Sequence, residues 1–317
     1  MPLSRNTKAT GLLALLAANT IWGLYGPLCK DLLNASIVQP FTAAGLKIVG
    51  AALLFLLLTG VLRLVAPHHP QARERIARAD WGKLVLASLL IIAGNQTAII
   101  LGLQWSSPID GTILCGVTPF FTLLLGAVCF HERLSRQKLA GVALGFSGMV
   151  LMVLGGQADS AMHVSHPVLG NTLFLLSQVF GAVYLVFFSG LIQRYSAFTL
   201  MRGMFVVSAV AILPLALPGA LSTEWHRLTG TMYMEVGYII VCSGFLAYLL
   251  LLAGQKRVEP TVVASCNYLQ PVVATVFSLC LGLSTLTIGT VVAALLIFLG
   301  LGLILGRRKS RHTPAGS

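Results

Sequence analysis

Gly102, Pro108, Pro119, Leu134 and Gly148 recur, type for type, as Gly254, Pro260, Pro271, Leu286 and Gly300, each 152 residues later. The apolar blocks between these anchors run in step, and the hydroxyl of Ser135 is matched by that of Thr287. Both copies are apolar enough to lie in lipid. Two related membrane halves, with polar residues where the copies would face each other, are a sequence sign of a transporter.

Composition puts the copies in a bilayer. Hydrophobic residues make up 56% of the chain and charged ones 9%, with a mean hydropathy of +0.88, where a soluble domain carries about 25% charge. Ten apolar stretches, near residues 10–29, 36–61, 83–104, 109–129, 136–155, 167–191, 197–217, 231–253, 260–282 and 287–306, are long enough to cross, since a span needs about 20 residues. The expected fold is therefore all-α, with ten transmembrane helices. Arg63–Asp80, the longest polar connection, is too short for a soluble domain.

The net charge of +12 invites a nucleic-acid reading, which its distribution refutes. With both termini in the cytoplasm, eighteen of the twenty-one basic residues face inward, clustered around Arg5, Arg73–Lys83, Arg133–Lys138, Arg194–Arg202, Lys256–Arg257 and Arg307–Arg311. Lys30 and Arg227 fall outside and Lys47 within a span. This is the positive-inside asymmetry of a multi-pass protein of the cell (inner) membrane. The first span runs on through Trp22 and Tyr25 with no small-x-small cleavage site, so it reads as a retained helix rather than a signal peptide. The six cysteines form no C-x-x-C or Cys/His cluster. They read as small buried hydrophobes, with neither a metal nor a disulfide implied.

The first repeat covers residues 1–156, a polar external connection 157–166, the second repeat 167–310 and a cytoplasmic tail 311–317. Five spans per copy is an odd number, so the second copy enters the membrane from the opposite side and the repeat is inverted. Gly141, Gly145 and Gly148 line one face of the fifth span, and Gly302 and Gly306 form a small-xxx-small pair in the tenth. Such faces serve helix packing, either within the bundle or in a homodimer.

Trp22-Gly23 with Pro27, Ser107-Pro108, Thr118-Pro119-Phe120, and His131-Glu132-Arg133-Leu134-Ser135 leading into Gly141 resemble, in order and spacing, the EamA family of the drug/metabolite transporter superfamily. The resemblance covers nearly the whole chain. It implies a ten-helix inverted-repeat fold and movement of small metabolites, often outward. One departure stands out: the glutamate 13 residues after the proline is Glu132 in the first copy but Ser284 in the second.

Lys47 lies about eleven residues into its span, near mid-bilayer at 1.5 Å per residue. Its stem is too short to snorkel from there, and charges at that depth face a cavity and mark a pathway. No carboxylate occupies a span centre, so an anionic group on the substrate is one natural partner, and carbonyls or Asp110 are the other. Asn267 and Gln270, three apart, share a helical face beside Pro271; Cys115 and Thr118 are their mates beside Pro119. Prolines at matching points break helices, and broken helices in matching positions point to a transporter's site, although the amides could equally glue helices together. Asn95 and Gln96 in span three, Asn19 and Trp22 in span one, Gln178 and Tyr184 in span six and Tyr248 in span eight complete the candidate substrate-binding set. Asp110, at a helix start, suits the dipole there or a coupling proton.

There is no H-E-x-x-H, G-x-S-x-G or phosphate loop, and no pair of buried mid-span carboxylates, so an enzyme is not expected and no cofactor is implied. The partners expected are the lipid bilayer and a small-molecule substrate. The reading is a secondary transporter of a small polar metabolite, amino-acid-like, working by alternating access. A channel or facilitative pore is the alternative, although neither a filter element nor a ring of charges is present. Reporters fused after Ser317 and inserted near Ala72 are expected in the cytoplasm, and one near Ser160 outside. A cytoplasmic Ser160 reporter would overturn both the span parity and the inversion.

Overall fold

The computed structural model describes residues 5–66, 68, 74–131, 135–154, 164–255, 257, 266–267, 269–282 and 286–305. Among these the chain is helical, and every long element is apolar. The helices are α1 (Arg5–Asn34), α2 (Pro40–Val65), α3 (Arg78–Trp105), α4 (Pro108–Cys115 and Thr118–Phe130), α5 (Arg136–Leu154), α6 (Pro167–Phe187), α7 (Ala197–Ser222), α8 (Gly230–Gln255), α9 (Leu269–Cys280) and α10 (Ile288–Leu305). A short helix, Ser189–Arg194, follows α6. Seven of them (α1 to α4 and α6 to α8) are long and apolar enough to cross a membrane, while α9 and α10 are shorter apolar helices. The 26 residues of α2 rise about 39 Å, more than the roughly 30 Å of hydrocarbon.

Helix starts follow from local chemistry. Pro40, Pro108 and Pro167 sit in first turns, where a missing N–H costs nothing. Ser107, Ser196 and Thr229 cap α4, α7 and α8 by accepting the N–H of Asp110, Thr199 and Met232. The exposed surface carries long apolar side chains such as Leu64 and Ile288, about 85% open, whereas Asn19, Lys47, Asn95, Gln96 and Gln178 are buried. A bundle apolar outside and polar within is built for lipid.

α2 lies along α7, α5 along α10, α3 along α6, α1 along α8 and α9, and α4 along α6 and α9. At one end of the bundle the connection before α3 is clasped by the connection before α7. Arg194 pairs with Asp80 at 2.7 Å, and Tyr195 Oη donates to the same carboxylate at 2.6 Å. Ser196 N–H donates to Glu74 Oε1 at 3.0 Å, the Ser196 hydroxyl donates to the same carboxylate, and Arg202 reaches the Glu74 carbonyl at 3.2 Å. Lys30 is fully buried, its ammonium donating to the carbonyls of Leu103 (2.8 Å) and Gln104 (3.2 Å) at the C-terminus of α3. It is a helix cap rather than an external loop charge. Of the six cysteines only Cys29 and Cys266 are buried, while Cys129 and Cys280 face outward.

The glycines of α5 and α10 meet each other. A Cβ on Gly300 would stand 2.6 Å from the Gly141 carbonyl and 2.6 Å from the Gly145 amide, and one on Gly148 would stand 2.8 Å from the Ala293 carbonyl. Gly300 therefore meets Gly141 and Gly145, Gly148 meets the backbone at Ala293, and the space beside Gly302 is open; Gly306 lies outside the described residues. Backbone meets backbone at this crossing, which leaves no room for a methyl. Gly300→Ala is accordingly expected to destabilise the protein by about 1–3 kcal/mol, the range for overpacking, while Gly302→Ala is neutral. Melting in detergent of the two variants checks this; equal melting temperatures would place the α5–α10 contact elsewhere.

Candidate functional site

Span-interior polar groups converge where α1, α3, α4, α6 and α9 meet, and the backbone there is irregular. α4 is interrupted at Gly116–Val117, where the N–H groups of Gly116, Val117 and Phe120 bond three residues back instead of four, immediately before Thr118-Pro119. In the second half, Gln270 N–H likewise bonds the Asn267 carbonyl at 3.1 Å in the first turn of α9, beside Pro271. α3 and α8 each carry a π-helical stretch, Leu89–Gly94 and Tyr238–Leu246. The two stretches end 152 residues apart, so the widening is at one place in the repeat. Short π segments recur at functional positions because the wider turn redirects side chains. Here the residues redirected are Asn95 and Gln96 in one half and Tyr248 in the other.

Lys47 is 1% exposed. Its ammonium donates to Gln96 Oε1 at 2.6 Å and sits 3.6 Å from the centroid of the Tyr25 ring, an attraction worth about 2 kcal/mol when desolvated. Expectation placed it against a cavity, with carbonyls, Asp110 or a substrate as partner. The structure gives it the carbonyl oxygen of the Gln96 side-chain amide and a π face, and among the described residues no carboxylate lies within ion-pair distance. The chain of hydrogen bonds continues. Gln96 Nε2 donates to Asn95 Oδ1 at 2.8 Å, and Asn95 Nδ2 to the Ser177 carbonyl on α6 at 2.6 Å. Tyr25 Oη has no partner among the described residues.

Two further bonds link α1 to α9 and α4 to α6. Gln270 Nε2 donates to Asn19 Oδ1 at 2.6 Å, and Thr118 Oγ1 donates to Gln178 Oε1 at 2.6 Å. Gln178 Nε2 passes on to Ser177 Oγ at 2.7 Å, and Asn19 Nδ2 to the Leu15 carbonyl at 2.8 Å. Gly181 ties the sets together: a Cβ there would sit 3.8 Å from the Thr118 methyl and 3.9 Å from Asn95 Nδ2.

The aromatic candidates form a neighbouring wall. Trp22 Nε1 donates to the Ser243 carbonyl at 3.3 Å, and its ring meets Tyr248 edge-on at 5.3 Å. Tyr248 meets Phe205 edge-on at 5.2 Å, and Tyr184 stacks on Phe188 with its hydroxyl toward Met204 Sδ at 3.9 Å. Tyr184 and Tyr248 thus belong to an apolar cluster with Phe55 and Met204, outside the hydrogen-bonded chain. Asn267 occupies the turn before α9, its carbonyl accepting the Gln270 N–H; Tyr268 between them is outside the described residues. Asp110 sits in the first turn of α4, its N–H donating to the Ser107 cap. Glu132 and Ser284 are outside the described residues.

Tyr25, Ser177 and Gly181 escaped the sequence reading. Tyr25 stands three residues after Trp22, as neighbours on the surface of α1, which is the signal that would have found it.

The sequence profile of the EamA-like transporter family matches twice, over residues 9–154 and 168–306. The chain belongs to this family and is a multi-pass membrane transport protein. It is 26% identical to the "Probable amino-acid metabolite efflux pump" of Salmonella typhimurium, covering 93% of this chain and 94% of that one. An "Uncharacterized transporter" of Archaeoglobus fulgidus is 23% identical over 91% and 96%, and the "Uncharacterized inner membrane transporter YedA" of Escherichia coli 25% over 86% and 83%. A solved crystal structure shares the fold with a TM-score of 0.60 at 19% identity, over 93% and 96% of the two chains.

If the Asn19–Gln270 bond holds α1 to α9, a double-mutant cycle with Asn19→Leu and Gln270→Leu is expected to return a coupling of about 0.6–1.7 kcal/mol, the range for polar contacts between membrane helices. The measurement is unfolding in mixed micelles. Additive single effects would show that the two side chains do not cooperate.

Proposed function

We propose that this protein is a secondary transporter with ten spans in two inverted halves, both termini cytoplasmic, in the cell membrane. It moves a small polar metabolite bearing an anionic group, amino-acid-like, by alternating access, outward. Helix packing supports the two-half reading. Replacing each helix number n by n+5 turns the α3–α6 contact into α8–α1, α1–α9 into α6–α4 and α2–α8 into α7–α3, and returns α2–α7, α4–α9 and α5–α10 to themselves. That is the pattern a two-fold axis generates, and five crossings per half put the axis in the membrane plane. The same exchange relates Thr118–Gln178 on α4 and α6 to Gln270–Asn19 on α9 and α1.

The observation that carries the substrate class is Lys47: a buried amine at mid-span, bonded to an amide and a ring rather than a carboxylate. An ammonium has three donors, and a neutral acceptor compensates poorly for its lost hydration. A substrate carboxylate entering between Lys47 and Gln96 would supply the missing anion, while Asn95, Gln178, Gln270 and Asn19 would meet its remaining polar groups. Trp22 and Tyr248 would border its apolar part. The Salmonella relative named as an amino-acid metabolite efflux pump supports both the class and the outward direction.

A thermal-shift screen of purified protein against free amino acids and related organic anions is expected to yield a stabilising ligand. Lys47→Met should weaken its binding by about ten- to a hundredfold, the equivalent of losing one charged hydrogen bond, while the fold is retained or gains stability. Lys47→Arg should keep partial affinity. Wild-type affinity in Lys47→Met would remove this residue from the site and the anionic substrate with it. Reconstituted protein should show saturable, counterflow-stimulated uptake; single-channel steps would favour a pore instead.

A further inference from the structure

A buried tyrosine hydroxyl usually finds a partner, because the ring would pack as well without it. Tyr25 is an exception. It is 5% exposed, and its ring belongs to the apolar cluster that includes Cys29, Ile100 and Ile113. Its Oη bonds to nothing among the described residues. A phenylalanine would fill the same space without burying a polar group. The hydroxyl therefore needs a reason other than packing, and its surroundings supply one.

The face of the ring carries the Lys47 ammonium, 3.6 Å from the centroid. An ammonium has three donors in a tetrahedral fan. One goes to Gln96 Oε1 at 2.6 Å, another is turned to the ring, and no acceptor among the described residues takes the third. The phenol oxygen stands at the rim of the same ring, one ring radius and one C–O bond from that centroid. Two donors so placed lie within the span of a single carboxylate, one oxygen to each. Neighbouring donors already have acceptors: Gln96 Nε2 has Asn95 Oδ1 at 2.8 Å, and Trp22 Nε1, one turn before Tyr25, has the Ser243 carbonyl at 3.3 Å. The pair is also particular to one half. The positions 152 residues beyond Lys47 and Tyr25 are Thr199 and Ser177, and Ser177 Oγ donates to the Phe174 carbonyl at 2.7 Å.

We propose that Tyr25 is a second anchor for the substrate anion: its hydroxyl donates to one carboxylate oxygen while the Lys47 ammonium takes the other. This rests on the transporter reading above and goes beyond it by fixing how the anion is held. Tyr25 then acts at two stages. Before the anion arrives, the π face shares the charge of the ammonium, for which a single amide oxygen compensates poorly. Once it arrives, the hydroxyl sets a second donor at a fixed place beside the cation. A planar group with two oxygens satisfies both donors. A carboxamide has one such oxygen, and its NH2 can face the phenol only by reversing that bond, so the acid is preferred. Lys47 supplies the charge, and Tyr25 selects the shape of the group that answers it.

The test uses the purified full-length chain, the free amino acids as probes, and Tyr25→Phe, which keeps the ring under Lys47 and removes only the hydroxyl. Without ligand this variant is expected to melt at or above the wild-type temperature, since no bond within the protein is lost and a buried unpaired group is removed. With an amino acid that stabilises the wild type, its affinity should fall about ten- to a hundredfold, the equivalent of one hydrogen bond to a charged group. Ultraviolet difference spectra add a signature that packing alone does not give. The wild type should show a red-shifted tyrosine band on binding, as a phenol that donates to an anion does, and Tyr25→Phe should lack it. A clear loss of ligand-free stability in Tyr25→Phe would mean that the hydroxyl is bonded inside the protein, and would overturn the assignment. So would a band that persists in the variant, which would belong to another tyrosine. Wild-type affinity in Tyr25→Phe beside weakened binding in Lys47→Met would remove Tyr25 from the site and leave the reading of Lys47 standing. Wild-type affinity in both variants would remove both residues. If no free amino acid stabilises the wild type, the substrate class fails first and the second anchor fails with it.

Discussion

A polar group inside a lipid-embedded bundle must be satisfied by the protein itself, and the buried ammonium of Lys47 is where that demand is greatest. The first hydrogen bond goes to Gln96, whose amide is then free to donate only to Asn95, which in turn donates to Ser177. One lysine on α2 thereby fixes rotamers on α3 and ties α3 to α6. The π-helical stretch before Asn95 makes this geometry accessible, since in a regular helix two consecutive side chains point about 100° apart. Packing serves the same end. Gly181 leaves room for Thr118 and Asn95 to approach α6 together.

How the two halves divide this work is instructive. Thr118–Gln178 and Gln270–Asn19 are equivalent bonds at equivalent breaks, so the pair of hinges is shared. At the position two residues past the π stretch, however, the first half has Gln96 and the second Tyr248, an offset of 152. One copy thus places an amide beside a lysine, and the other an aromatic ring beside Trp22. A single duplicated scaffold yields a polar side and an apolar side, which is what recognition of an amphipathic metabolite requires.

Much of this was legible in the sequence. The seven long apolar helices follow from hydropathy, and the breaks from Pro119 and Pro271, because a missing N–H acts locally. The partnerships were not legible, because they depend on how each helix is rotated. Lys47 could be seen to lie deep, yet nothing in a linear chain says that Gln96 rather than Asp110 faces it. The small-residue faces of α5 and α10 were legible too, but not that Gly300 is the residue that meets Gly141 and Gly145. Asn267 and Gln270 show the three-residue spacing of a helix, but they straddle the start of α9 at Leu269, joined by a three-residue turn.

On the alternating-access reading proposed above, identical halves would give the conformation open to one face and its mirror open to the other equal energy, and nothing would bias the exchange. Each departure from the repeat is therefore a term in the energy difference between the two states. α7 has no lysine to match Lys47; its basic residue, Arg202, lies near the start of the helix and is held by Glu74 and Thr59. This asymmetry acts at the middle of the bundle, where the proposed anion would sense it. A duplicated protein whose halves differ there would let a bound solute bias the exchange through a residue that only one half carries.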